Sequence, residues 1–77
     1  MTAEKSIWVL MNPDNNHWSE EKAYEAIAYY ASLHEIEVCE AGDTRDTGFG
    51  QERLFILDGS IENMERFESD IYEALQL

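Results

Sequence analysis

Apolar and polar positions mark the last third of the chain most clearly. Residues 54–57 (LFIL) form an unbroken apolar run, which predicts a strand covered on both faces. Asp58, Gly59 and Ser60 then stop the strand: Gly supplies turn freedom, and Ser60 can cap the first free N–H groups of a helix. Beyond it, Met64, Phe67, Ile71, Ala74 and Leu75 fall on one side of that helix. Glu62, Glu65, Asp70 and Glu73 fall on or near the other side.

The earlier pattern is less uniform. Residues 1–5 read as a frayed polar start. Residues 6–11 (SIWVLM) predict a strand with Ile7, Val9 and Met11 on one face and Trp8 and Leu10 on the other. Residues 12–17 (NPDNNH) predict a loop, because Pro13 breaks the strand and Asn and Asp favour turns. Ser19 is a good cap, with Glu20 and Glu21 where the helix dipole favours anions. The helix is expected to run to about Glu35, with Ala23, Ala26, Ile27, Tyr30, Leu33 and His34 on one face. Alternation over residues 36–41 (IEVCEA) predicts a half-exposed edge strand. Residues 42–52 (GDTRDTGFGQE) predict a long polar loop.

The order is therefore β-α-β-β-α in one small α+β domain spanning residues 1–77. The expected architecture is a three-stranded mixed sheet with two helices packed mainly on one face. Its first three elements form a right-handed parallel crossover, residues 6–11 lie in the centre, and the third strand runs antiparallel. Such packing leaves either Trp8 and Leu10, or Phe55 and Leu57, on an open sheet face. A contiguous apolar patch of that kind marks an interface, with a second copy or with another chain.

Composition adds one strong constraint. Apolar residues make up 44% and aromatic residues 12%, which argues against disorder. The charge is unusual: seventeen Asp and Glu stand against five Lys and Arg, for a net −12. Surface scaling for a chain of this size gives ~4,800 Å², or ~280 Å² per carboxylate. Duplex DNA has one charge per ~100 Å² of its cylinder, so average density falls well short of nucleic acid and any mimicry needs clustering. Direct binding to nucleic acid or to an anionic membrane is disfavoured, and basic partners are favoured. Cys39 is the one cysteine, so no internal disulfide forms. No apolar run approaches a membrane span, no signal-peptide core stands at the N-terminus, and a cytoplasmic location is expected.

Chemistry-bearing motifs are sparse. LDGS at 57–60 resembles a fragment of the haloacid-dehalogenase nucleophile motif, but Ile56 stands where the first Asp belongs, and a structural turn is the reading carried forward. His17 near Asp14 lacks metal-ligand spacing, His34 falls on an apolar helix face, and Asp43 and Asp46 do not match a calcium loop. Cys39 stands near Glu37 and Glu40, which disfavours a reactive thiolate. TGFG has no following Lys and does not form a phosphate loop. No cofactor, metal or catalytic residue is expected, and the chain reads as a non-enzyme.

Two features point instead to a partner. Glu62, Glu65, Asp70 and Glu73 spread over a helix rise of ~16 Å, along which one DNA strand carries about five phosphates. Arg66 sits inside that row and can pair with Glu62 and Asp70 at four-residue spacing. Phe49, between two glycines in a polar stretch, and Tyr29, on the outer side of its helix, are candidate aromatic anchors. In size and charge the chain resembles small acidic, often virus-encoded inhibitors of restriction, CRISPR and other DNA-handling enzymes. That resemblance implies a DNA mimic occupying the basic, nucleic-acid-binding surface of a protein partner. The competing expectation is a structural or regulatory subunit joined through its apolar sheet face, as a homodimer or with another chain.

Overall fold

The computed structural model describes residues 2–11, 20–48 and 50–75. The elements are β1 (Thr2–Met11), α1 (Glu20–Leu33), β2 (Glu37–Thr47), β3 (Gly50–Ser60) and α2 (Ile61–Leu75). The α+β architecture and the β-α-β-β-α order are those expected from the pattern. The expected 12–17 loop and the Ser19 cap lie outside the described residues.

The sheet order is β1-β3-β2, and both ladders are antiparallel. This corrects the expected mixed sheet. β1 and β2 do run in the same direction, but β3 lies between them and no parallel ladder forms. It also corrects the expected centre, which is β3 rather than β1. The physical reason lies in the apolar run at 54–57, which gives β3 large side chains on both faces. Phe55 and Leu57 are buried, while Leu54 and Ile56 are half-buried on the opposite face.

Both helices cover one face of this sheet. Ile7, Val9 and Met11 of β1, and Phe55 and Leu57 of β3, share one core with Ala23, Ile27 and Ala31 of α1 and with Met64, Phe67 and Ile71 of α2. Of the two alternatives for the open face, Trp8 and Leu10 are there, joined by Leu54 and Ile56 through the register Trp8↔Leu54 and Ser6↔Ile56. The expectation that the 54–57 run is covered on both faces therefore holds for one face only.

Element ends differ from the pattern for identifiable reasons. β1 begins at Thr2, not Ser6, because Ala3 pairs with Gly59 and Lys5 with Leu57 along the ladder. The expected long loop at 42–52 is instead the far half of a β2–β3 hairpin. Gly42 adopts φ +89°, a left-handed conformation suited to glycine, at a bulge where the register slips between Glu40 and Thr44. Near the turn, the Thr47 hydroxyl donates to the Gly50 carbonyl at 2.9 Å.

α1 ends two residues before the expected Glu35. The Ile36 N–H donates to the Ala31 carbonyl at 3.0 Å, and the Glu35 N–H donates to the Ser32 carbonyl at 3.3 Å. This is a Schellman closure, with Glu35 at φ +56° in the position that usually takes Gly. The buried stripe of α1 is Ala23, Ile27 and Ala31, whereas Leu33, expected on the apolar face, is 56% exposed. α2 starts as expected: the Ser60 hydroxyl accepts the Asn63 N–H at 3.1 Å. Gly59 serves a different purpose from the expected turn freedom. A Cβ there would lie 2.8 Å from Ile36 Cγ2, so the small residue admits the buried Ile36 side chain.

Candidate protein-binding surface

The acidic side of α2 is less open than its sequence suggests. Glu62 accepts from Arg66 at 2.6 Å, as four-residue spacing predicts. Asp70 does not pair with Arg66; it meets His34 Nε2 at 2.5 Å, and His34 is a half-buried boundary residue rather than a core one. Glu68 binds Lys5 of β1 at 2.7 Å. That hydrogen bond, reinforced by the charges of Glu68 and Glu65, holds the Lys5 ammonium above its usual pKa. Of the four carboxylates singled out on α2, Glu65 and Glu73 have no cationic partner within ion-pair distance among the described residues. Tyr29 is 62% exposed, as its place on the outer side of α1 predicts, and lies edge-on to Tyr30 at 5.0 Å. Phe49 lies outside the described residues.

A second set of carboxylates becomes visible only through the strand register. Asp58 of the central strand is paired with Glu4 on one side and with Glu37 on the other. Paired residues project from the same face of a pleated sheet, so the three acids form a row across all three strands on the open face. All three are exposed. Like charges placed directly opposite one another destabilise a sheet, and no cation among the described residues lies within ion-pair distance of them. They rim a hollow of about 400 Å³ with Ile56 and Cys39.

The other end of the open face is neutralised internally. Arg45 Nε donates to Glu52 at 2.6 Å, and the guanidinium lies 4.2 Å from the centroid of the Trp8 ring. These groups border a groove of about 520 Å³ that reaches the β1 edge, with Leu10 on its floor and Tyr72 and Glu68 of α2 on its far side. Burial raises the Tyr72 phenol above its usual pKa, with Glu68 adding to the shift.

On the helix-covered face, Arg53 ties three elements together. It forms ion pairs with Glu20 of α1 and, at 3.8 Å, with Glu40 of β2. Its Nη1 donates to the Tyr24 hydroxyl at 2.6 Å, and that hydroxyl donates to the Glu40 carboxylate at 3.0 Å. The bond to Tyr24 raises the Arg53 pKa. Burial raises that of Tyr24, against the lowering influence of Arg53. Lys5, Arg45, Arg53 and Arg66 are thus each engaged with carboxylates of the same chain.

Among the described residues, no group of three or more His, Cys, Asp and Glu has the geometry to hold a metal ion. No helix there is long and apolar enough to cross a membrane. Asp58 has no histidine beside it in the described part of the chain, and Cys39 is an exposed free thiol. Comparison with protein-family models, curated proteins and solved structures finds no match.

Proposed function

We propose that this chain is a small, non-catalytic protein-binding module that recognises a cationic surface on a partner. One observation carries the reading: Lys5, Arg45, Arg53 and Arg66 are spent on internal ion pairs, while Glu4, Glu37, Asp58, Glu65 and Glu73 have no cation within ion-pair distance among the described residues. With a net charge of −12, the outward field is therefore predominantly negative. Such a field repels nucleic acid and anionic lipid and speeds encounter with a basic protein. Basic surfaces of this kind are presented by nucleic-acid-handling enzymes, so inhibition by occupying that surface is the activity proposed. The proposed setting is cytoplasmic, where the exposed Cys39 thiol would stay reduced.

The experiment is binding to a panel of purified basic nucleic-acid-binding proteins across a salt series. The reading expects affinity that falls steeply as salt screens the pair. It also expects loss on charge reversal of exposed acids, at Glu62, Glu65 and Glu73 or at Glu4 and Asp58. Affinity indifferent to both would overturn it. The alternative of a subunit joined through its apolar sheet face is favoured by Trp8, Leu54 and Ile56 standing uncovered by either helix. The mass of the chain in solution at rising concentration separates a self-pairing subunit from a monomeric module.

A further inference from the structure

The open sheet face joins the two properties that the proposed function treats separately. Ile56, Leu54 and Trp8 form an apolar strip, and the Glu4–Asp58–Glu37 row crosses one end of it. The Arg45–Glu52 pair closes the other end without net charge. From Glu4 to Leu10 the open face, acid row included, is ~20 Å long, and three strands make it ~14 Å wide. A face of ~300 Å² is well below the ~800 Å² that each partner contributes to a standard protein interface. It matches one α-helix, which is ~10–12 Å across and covers ~20 Å in ~13 residues.

Charge decides the occupant. A second copy would bring another net −12 and its own acid row. Arg45, the one cation that a second copy would offer from this face, is already engaged with Glu52 and Trp8. Close approach of two such chains would be repulsive. We infer that the open face is the docking site for a single basic amphipathic helix of a partner protein, with its apolar side on Ile56 and Leu54 and against the Trp8 ring that Arg45 partly covers, and its Lys or Arg residues over the acid row. The inference rests on the proposed function in assuming a cationic partner. It adds the surface used and the shape of the element bound.

The test is NMR mapping on the full, isotope-labelled chain at low salt. The probe is a synthetic helical peptide of about fourteen residues, with leucines along one face and lysines in its last turn. Shifts are expected to concentrate on the Trp8 indole and on the amides of Leu54, Ile56 and Asp58. A peptide with glutamates in place of the lysines is expected to leave them unmoved. Asp58→Lys is expected to fold, because it breaks up a row of like charges, and to weaken probe binding tenfold or more. Shifts confined to Glu65, Arg66 and Glu73 would overturn the inference while leaving recognition of cations intact. Line broadening of the open face on concentration alone, without the probe, would overturn it in favour of a second copy. Probe binding at the open face with no binding to the panel of basic proteins would uphold this surface and remove the proposed partner class. Absence of probe binding alongside tight, salt-sensitive binding to that panel would remove the helix and leave the function.

Discussion

The guanidinium of Arg45 lies 4.2 Å from the centroid of the Trp8 ring, although β2 and β1 are not neighbours in the sheet. The side chain reaches over the central strand, held on its way by Glu52 at 2.6 Å. It therefore clamps the far half of the hairpin to the opposite edge strand. Arg45→Ala is expected to cost ~0.5–1 kcal/mol, the worth of an exposed cation–π contact. Hydrogen exchange should quicken at amides of residues 44–53 before it does in β1. Unchanged exchange there would show that the arm is held by its backbone ladder alone.

Glu35 occupies a left-handed position without being Gly. A side chain there carries a backbone cost that glycine does not. Glu35→Gly is therefore expected to stabilise the fold by ~0.5–1 kcal/mol, read from the urea midpoint. A lower midpoint would mean that the Glu35 side chain contributes more than its conformation costs.

Gly59 is the reverse case. The nearest atoms to an added Cβ belong to Ile36, a stiff β-branched residue that is itself buried. Gly59→Ala is expected to destabilise by ~1–3 kcal/mol through overpacking. The double change Gly59→Ala with Ile36→Ala should recover part of that loss relative to Ile36→Ala alone. Strict additivity would remove the steric explanation.

Alkaline pH should destabilise the chain through Tyr24, Tyr72 and Lys5. Burial raises the Tyr24 and Tyr72 phenols, and the Glu68 bond raises the Lys5 ammonium. A group that holds its proton more tightly when folded contributes stability below its unfolded pKa. That contribution is lost as pH rises through the folded value. Stability should therefore decline above about pH 10, the ordinary range of these groups. Phenolate absorbance should show late steps from the raised Tyr24 and Tyr72 phenols, and Tyr24→Phe should remove one of them. Absence of any phenol step above the ordinary tyrosine range would contradict the burial argument.

Sequence pattern carried the element order because periodicity is local. Ser60 as the cap of α2, the buried stripe of Met64, Phe67 and Ile71, and the apolar run of β3 were all legible for that reason. The hairpin arm was not. Residues 42–47 are polar and wholly exposed, so no alternation marks them as strand, and backbone pairing with β3 carries the structure instead. The apolar run at 54–57 held the clue to the central strand, since apolar residues on both faces suit a middle position. The acid row of Glu4, Asp58 and Glu37 depends on register between three strands, and nothing in the separate segments fixes that register. The same holds for Asp70, whose partner His34 comes from the turn after α1 rather than being Arg66 on its own helix.

Asp58 is where stability and recognition are set against each other. Its two cross-strand neighbours are both acids, so its charge costs the folded sheet energy, and the same charge completes the row offered to a basic helix. The most direct measurement is on Asp58→Asn: its urea midpoint and its affinity for the lysine-bearing helical peptide at low salt, both relative to the unaltered chain. The midpoint is expected to rise by the equivalent of ~0.5 kcal/mol as the repulsion is relieved, and the affinity to weaken about three- to fivefold. A lower midpoint with undiminished affinity would contradict both.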